Sequence, residues 1–314
     1  MLLPARLGLG ALATAGVAAA GAWNRLLRQP LPRTRGSIRV RGLESDVEIE
    51  RDALGVPSIR ARSVPDLCFA QGFAMAQDRG WQLDFYRRVA AGRIAEFGGE
   101  GGLPADRMMR TFGFRRIAER ELGRLPARTR EMLEAYAAGV NAASDAAAAP
   151  SLEHQLLRLD LDAWHPVDSL ALGKLLALGF STNMETELFR AELVALVGAE
   201  KTARLEPHYP GGNPIITQPS ATWSGDAAAL AEQITEARSA AGFAPGPPAG
   251  SNNWVVSGER SETGLPLVAG DPHITTSIPD VWYTVRLSAP GVELQGGAMP
   301  GFPGIVIGQS RHVA

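Results

Sequence analysis

A segment rich in proline and glycine divides this sequence into two parts with different periodicity. Residues 242–250 read GFAPGPPAG, a composition that excludes both the interior of a helix and the centre of a sheet. Apolar residues recur at helical spacing over most of the chain before it, whereas short runs separated by glycine or proline follow it. The sequence therefore predicts an α+β protein with an exposed linker at this segment, and not a series of βαβ units.

The helical part opens near Ser63, which resembles the start of a helix. A second helix is predicted at residues 81–97, with Arg87, Arg88 and Arg93 on its polar side. Further helices are predicted at residues 127–147, 168–197 and 226–241.

Short strands are predicted on both sides of the helical part. Residues 47–51 alternate apolar and charged side chains, and Ile59 resumes the pattern after a turn, which predicts a hairpin. Beyond the linker, strands are predicted at residues 254–257, 265–269, 282–287, 292–295 and 305–307.

The composition is that of an ordinary globular protein. The chain has 314 residues, of which 45% are hydrophobic, and 31 basic residues stand against 33 acidic ones. Such a balance gives no long-range field for a polyanion, which argues against nucleic acid as a partner. The single cysteine, Cys68, excludes an internal disulfide, and the five histidines are too scattered for a zinc site. We expect no transition metal and no cofactor for the chemistry described below.

The first residues resemble an export signal. The 17 residues that begin at Leu7 and end at Trp23 carry no charge, follow Arg6 and contain small residues near their end. Their length is also close to the minimum for crossing a bilayer, so an uncleaved membrane anchor is the alternative. In either case we expect the rest of the protein outside the cytoplasm, in the periplasm, in the medium, or tethered to the outer side of a membrane.

Residues 250–254 (GSNNW) predict a latent N-terminal nucleophile. If the chain is cut between Gly250 and Ser251, the new terminus carries a hydroxyl and an α-amine on one residue. A free α-amine has a pKa of about 7.7–8.0, so a useful fraction can accept the hydroxyl proton at neutral pH. The alternative is an ordinary turn that leads into a strand, since these residue types favour turns. No nucleophile elbow of the form GxSxG surrounds Ser251, which argues against an unrelated serine hydrolase.

Several sequence blocks occur in a specific order over residues 38–314 and together resemble a known family. They are residues 51–57 (RDALGVP), 69–73 (FAQGF), 76–79 (AQDR), 81–84 (WQLD), 136–142 (YAAGVNA), 164–166 (WHP) with Asp168, 173–174 (GK), 250–254 (GSNNW) and 270–273 (GDPH). This set resembles the penicillin acylase family, also called penicillin amidases, among the N-terminal nucleophile hydrolases.

The resemblance implies a precursor that cuts itself before Ser251 and folds as an αββα layered unit. It implies a signal peptide or anchor with a connection at residues 1–36, an α-chain region at 37–217, a spacer at 218–250 and the start of a β-chain region at 251–314. The two chains would form an α/β heterodimer. The enzyme would hydrolyse linear amides through a Ser251 acyl-enzyme.

Other site residues follow from the resemblance alone. His273 would position the nucleophile or contact the oxyanion, its alternative being a satisfied polar residue at the end of a strand. Phe180, Met184 and Ile274 match positions of the acyl pocket, although apolar residues at such spacing also form cores. Glu187 matches a calcium-binding position in some relatives, and calcium would need further oxygen ligands from a longer chain. Glu187 could equally be a solvated helix charge.

The sequence also departs from the family pattern. Ser58 and Met184 stand where relatives often have histidine and tryptophan, and the chain stops before the segment expected to carry a backbone oxyanion donor and a catalytic asparagine. An inactive fragment, or a noncatalytic remnant tethered to a membrane, is therefore the competing hypothesis. Within the enzyme hypothesis, penicillin side-chain amides and N-acyl-homoserine lactones are both open as substrates.

Overall fold

The computed structural model of the protein describes residues 17–181, 183–205, 212, 226–242, 250–274 and 276–314. The chain separates into two compact units, which are treated one at a time below. The first is drawn from residues 1–88, 115–172 and 246–314, and the second from residues 89–114 and 173–245. Helices and sheets occur together, and the predicted α+β class is confirmed. Within the spacer predicted at residues 218–250 the structure describes residues 226–242 and 250, and the bounds of the spacer remain a prediction.

Besides the helical residues 17–23, ten α-helices lie within the described residues. In chain order α1 to α10 are Val64–Ala91, Ala95–Gly98, Leu103–Phe112, Phe114–Leu122, Ala127–Ala146, Leu152–Leu157, Pro166–Phe180, Asn183–Val197, Ala199–Ala203 and Ala227–Ala240. The seven strands of the same residues, β1 to β7, are Glu48–Arg51, Pro57–Arg60, Ser251–Val256, Leu267–Pro272, Tyr283–Ala289, Val292–Ala298 and Ile307–Ser310.

Five strands of the first unit form one sheet in the order β1, β2, β5, β6, β7. The predicted hairpin is confirmed, because β1 and β2 pair antiparallel and the Asp52 carboxylate accepts the N–H groups of Leu54 and Val56, both at 2.9 Å. Strand β2 then pairs parallel with β5, with Ser58 opposite Arg286. The sheet thus joins residues 48–60, near the start of the described chain, to residues 283–310, near its end.

Strands β3 and β4 form a separate two-stranded ribbon. They pair antiparallel from Ser251 opposite Pro272 to Val256 opposite Leu267. All six side chains of β3 are exposed, and so are five of the six in β4. The ribbon therefore carries the predicted nucleophile on a surface that faces solvent within the described part of the chain.

Helices α1 and α5 cross at very short range in the core of the first unit. A Cβ atom at Gly72 would overlap the backbone oxygen of Tyr136, and one at Gly139 would overlap that of Phe69. Because only glycine fits at such contacts, the crossing explains the glycines in two of the sequence blocks, FAQGF and YAAGVNA. Phe69 and Tyr136 are themselves buried at 2% and 0% exposure.

Of two predictions about the helices, one is confirmed and one was wrong in detail. The helices predicted to begin near Ser63 and at residue 81 follow one another within α1 and meet at a kink at Arg79, where φ is −136° and ψ is 23°. The Arg79 guanidinium donates to the backbone oxygen of Asp280 at 2.8 Å. The helix predicted at residues 168–197 is two helices, α7 and α8.

Arg87 and Arg88 are also not on a polar surface, as the helical pattern predicted. They are 3% and 2% exposed, because Asp84, one turn earlier on α1, pairs with both guanidinium groups. Arg93 is partly exposed and pairs with Glu96 at 2.6 Å. Periodicity places a side chain on a face but does not say which charges are neutralised there.

In the second unit, α10 packs against α3 and α8. Its first turn is capped by Asp226, whose carboxylate accepts the N–H of Ala229 at 3.0 Å. Its last turn is tied to α8 by the ion pair between Arg238 and Glu185 at 2.8 Å. The helix predicted at residues 226–241 thus lies within the region that the resemblance marks as spacer.

Within the residues that the structure describes, no helix is long and apolar enough to span a bilayer. Residues 1–16, which contain most of the predicted export signal or anchor, lie outside that description. The targeting prediction therefore stays a prediction.

Candidate active site

The predicted nucleophile, Ser251, is the first residue of β3 and is exposed. It lies opposite Pro272, the last residue of β4. Proline has no N–H to donate to a neighbouring strand, so Ser251 and Pro272 cannot form a hydrogen-bonded pair. The hydroxyl of Ser251 has no hydrogen-bond partner among the described residues.

The neighbouring pair, Gly250 and His273, carries the hydrogen bond at this end of the ribbon. The backbone N–H of His273 donates to the carbonyl oxygen of Gly250 at 3.1 Å. Bonded and non-bonded pairs alternate along an antiparallel ladder, so the backbone N–H of Ser251 points away from β4. The peptide bond predicted to be cut thus has its carbonyl held and its nitrogen free of β4.

The imidazole of His273 contacts other residues than the nucleophile. Its Nε2 lies 2.9 Å from Oδ2 of Asp271 and 3.5 Å from Nδ2 of Asn252. Successive side chains of a strand point to opposite faces, so Asn252 and Asp271 share a face with this ring and Ser251 occupies the other. A role of the His273 side chain in positioning Ser251 remains a prediction. The backbone N–H of His273, by contrast, contacts the Gly250 carbonyl that precedes Ser251.

The predicted pocket residues are distributed over both units. Ile274 follows His273 in the first unit, is partly buried, and donates its N–H to the backbone oxygen of Pro272 at 3.2 Å. Phe180 ends α7 and is 59% exposed, and Met184 lies partly buried in the first turn of α8. The structure therefore brings Gly250, Ser251, His273 and Ile274 to one end of the ribbon of β3 and β4 in the first unit. Phe180 and Met184 lie on two successive helices of the second unit.

Glu187, the predicted calcium ligand, forms an ion pair with Arg190 at 2.7 Å and is 56% exposed. Calcium requires six to eight oxygen ligands, and no cluster of three or more acidic, histidine or cysteine side chains suited to a metal occurs in the described part of the chain. These residues alone do not fit a calcium site. Calcium binding stays a prediction that would depend on further ligands.

Asp84, the last residue of the block WQLD, belongs to a buried ionic cluster that the sequence analysis missed. Asp84 contacts both Arg87 and Arg88, and its Oδ2 lies 3.1 Å from Nε2 of His154. Burial alone would raise the pKa of Asp84, but the hydrogen bond to His154 and the two guanidinium charges outweigh it and hold this pKa well below its usual range. An aspartate followed by arginines three and four positions later on one helix is a sequence signal that could have predicted this cluster.

Other family blocks also bind backbone groups far away in the sequence. The Gln71 side chain accepts the N–H of Gly304 at 2.7 Å and donates to its carbonyl at 2.9 Å. The Tyr136 hydroxyl accepts the N–H of Gly301 at 2.9 Å. Both contacts anchor residues after Ser251 to helices before it, so the blocks FAQGF and YAAGVNA have a role in holding the unit together.

Comparison with known proteins agrees with these observations. The sequence profile of the family described as Penicillin amidase matches residues 46–314. Acyl-homoserine lactone acylase QuiP of Pseudomonas aeruginosa is 34% identical over 297 residues, which cover 90% of this chain and 34% of that protein. Penicillin acylase 2 proenzyme of Pseudomonas sp. strain SE83 is 34% identical over 284 residues, which cover 88% of this chain and 36% of that protein.

A solved structure, the thermostable penicillin G acylase from Alcaligenes faecalis, matches with a TM-score of 0.45 and 26% identity, covering 55% of this chain and 98% of that one. The chain spans about a third of the length of the curated relatives that it matches. On the profile match over residues 46–314, and on relatives at 34% identity, the chain belongs to the penicillin amidase family.

Proposed function

We propose that the protein is a self-processing amidohydrolase that cleaves linear amide bonds with Ser251 as its N-terminal nucleophile. The observation that carries the proposal is the geometry at the start of β3, together with family membership. The carbonyl of Gly250 is held by His273, and the nitrogen of Ser251 is not bound to β4. A cut at this bond would free an α-amine on Ser251 that has no hydrogen bond to β4 and is therefore available as a base.

The chemistry of the processed enzyme follows from that terminus. The α-amine of Ser251 takes the proton from its own hydroxyl, and Oγ attacks the carbonyl carbon of the substrate amide. The amine leaving group departs with a proton, and water then hydrolyses the acyl-enzyme ester. No cofactor enters this sequence of steps.

Two substrate classes are supported by the names of the relatives. One relative is an acyl-homoserine lactone acylase and another a penicillin acylase, so both acylated homoserine lactones and penicillins are proposed substrates. The relatives named above are all enzymes, and the noncatalytic alternative receives no support from them. Phe180, Met184 and Ile274 are proposed to contact the acyl group.

Processing, assembly and export belong to the same proposal. A relative named as a proenzyme supports self-processing into two chains that remain together as an α/β heterodimer. The charge-free residues from Leu7 to Trp23 support export to the periplasm or beyond, with a retained membrane tether as the alternative. A structural calcium ion near Glu187 would require ligands from outside the described residues.

The experiment uses the complete gene product that contains these residues. Intact-mass analysis and N-terminal sequencing are expected to find a polypeptide that begins Ser251, Asn252, Asn253. The purified protein should release the free amine from an N-acyl-homoserine lactone or from a penicillin. Ser251→Ala should remain uncut and inactive, whereas Ser257→Ala, at an exposed serine just after β3, should be cut and active. Hydrolysis by protein whose bond between residues 250 and 251 is still whole would contradict the proposal.

A further inference from the structure

Self-cleavage before Ser251 must proceed without the base that later serves substrate hydrolysis. Before it, the nitrogen of Ser251 is an amide and not an amine, so the base of the mature enzyme does not yet exist. The electrophile is the carbonyl carbon of Gly250, and attack by Oγ places negative charge on the Gly250 oxygen. A hydrogen-bond donor already aimed at that oxygen would lower the barrier to this step.

The structure supplies one such donor in the backbone. The N–H of His273 points at the Gly250 oxygen with the nitrogen 3.1 Å away. That distance is suitable for an N–H to oxygen hydrogen bond, and the bond strengthens when its acceptor becomes charged. The donor belongs to the backbone, so it cannot rotate away as a side chain can.

Three features hold residue 273 in this position. Pro272 restricts the backbone immediately before it, and the ladder from Val256 opposite Leu267 to Ser251 opposite Pro272 sets the register. The His273 ring is tied to Asp271 at 2.9 Å. These contacts fix the donor relative to the Gly250 carbonyl before any bond is broken, as preorganised electrostatic stabilisation requires.

We infer that the backbone N–H of His273 is the oxyanion donor for self-cleavage between Gly250 and Ser251. The inference rests on the proposed self-processing and assigns to residue 273 a backbone role separate from any role of its imidazole. Pro272 fits the same register, because residue 272 lies at a non-hydrogen-bonded position of the ladder, where no N–H is needed. In this register the Ser251 nitrogen points away from β4, so the departing nitrogen is not held by that strand.

The step balances without any further reactant. Ser251 Oγ forms a bond to the Gly250 carbonyl carbon, and the charge on oxygen is stabilised by the His273 N–H. The bond from that carbon to the Ser251 nitrogen then breaks, and the proton lost from Oγ ends on the nitrogen, which becomes the α-amine. Water hydrolyses the resulting ester and leaves a carboxylate on Gly250 and a free hydroxyl on Ser251.

The test compares variants of the complete gene product that differ in this one N–H. His273→Pro removes both the N–H and the imidazole, and His273→Ala removes only the imidazole. The rate of appearance of the Ser251 terminus is measured by mass spectrometry after synthesis in a cell-free system. Because one oxyanion donor contributes about 10²–10³ in rate, His273→Pro is expected to cut at least about 100-fold more slowly than His273→Ala.

Two further variants separate loss of the donor from loss of the fold. Thr276→Pro places a proline three residues later, where the backbone N–H has no partner among the described residues, and it should cut like the parent. Replacing the peptide bond between residues 272 and 273 by an ester, through incorporation of the α-hydroxy analogue of histidine, removes the N–H and keeps the ring. The ester variant is expected to be slowed by about 100-fold or more.

The outcomes distinguish this inference from the function on which it rests. Equal cutting rates for the ester variant and the parent would overturn the donor assignment and leave self-processing intact. A His273→Ala variant as slow as His273→Pro would overturn it too, since loss of the imidazole would then account for the whole effect of the proline. A parent that never yields the Ser251 terminus would refute self-processing itself, and the donor with it.

Discussion

Asp84 is a buried carboxylate whose charge is shared by two guanidinium groups and one imidazole. It is 1% exposed, and Arg88 Nε donates to it at 2.7 Å. Arg87 also donates to the backbone oxygens of Asp162 and Ala163, at 2.9 and 3.0 Å. The Arg87 side chain therefore links α1 to the segment that precedes Trp164.

Replacing this carboxylate should be costly. Asp84→Asn keeps the size of the side chain but removes the carboxylate that both buried guanidinium groups contact, and leaves Arg87 with the more distant Asp168, 4.0 Å away. We therefore expect the free energy of unfolding to fall by about 3–5 kcal/mol. Urea denaturation followed by circular dichroism measures the change. Glu134→Gln is the matched control, because Glu134 is 60% exposed, lies 4.0 Å from Arg130, and should change stability by less than about 1 kcal/mol. Equal effects of the two variants would contradict the account.

The same cluster predicts a direction for acid unfolding. The pKa of Asp84 is lower in the folded protein than in the unfolded chain, so the unfolded state binds its proton first as the pH falls. The stabilisation is complete above the unfolded value of about 4 and is lost as the pH falls below it toward the folded pKa. The difference in unfolding free energy between the parent and Asp84→Asn should therefore shrink below about pH 4. A difference that stayed constant down to about pH 2 would contradict this linkage.

At the scale of elements, the crossing of α1 and α5 depends on glycine at the point of contact. Gly72→Ala would force its methyl group into the Tyr136 backbone oxygen, and overpacking of this kind is expected to cost about 1–3 kcal/mol. Gly80→Ala is the matched control on the same helix, since no atom beyond the adjoining helix backbone lies within 4 Å of its added Cβ and alanine favours the helix by up to about 1 kcal/mol. Thermal unfolding should show a lower Tm for the first variant only, and a lowered Tm for both would contradict the distinction.

The ribbon of β3 and β4 is the element with the most exposed apolar surface near the candidate site. Val255 is 71% exposed, and its neighbours Trp254 and Val268 are 55% and 54% exposed. In a preparation of the 314-residue chain, we expect this surface to bind a hydrophobic dye and to promote self-association. Val255→Lys should lower both signals, whereas Val313→Lys, at a residue 72% exposed outside the ribbon, should change them little. Light scattering against concentration provides the measurement, and an equal effect of both lysines would refute the assignment.

Local signals predicted the elements better than their pairing. Asp226 before an apolar helical pattern correctly indicated the start of α10, and the turn before Pro57 indicated the first hairpin. Nothing local indicates that β2 pairs with β5, because that contact depends on packing of residues far apart in sequence. The same holds for the site, where Ser251 could be named from its motif. The hydrogen bond from His273 to Gly250 follows from the register of two strands, which the motif does not specify.

At the scale of the whole molecule, the proposed cut lies between segments that share one sheet. Strand β2 precedes the cut and pairs with β5, which follows it, over residues 58–60 and 286–288. Side chains reinforce this connection, because Gln71 forms two hydrogen bonds with Gly304 and the Tyr136 hydroxyl accepts one from Gly301. Cleavage at residues 250–251 breaks none of these contacts.

The two products of processing should therefore stay together without a covalent link. Native size-exclusion chromatography of the processed gene product is expected to give one peak, at the elution volume of the uncut Ser251→Ala variant, and denaturing electrophoresis should resolve that peak into two chains. Addition of guanidinium chloride should separate them, because the sheet and the side-chain contacts are then lost. If native chromatography separated the chains, the shared sheet would not be what holds the processed protein together.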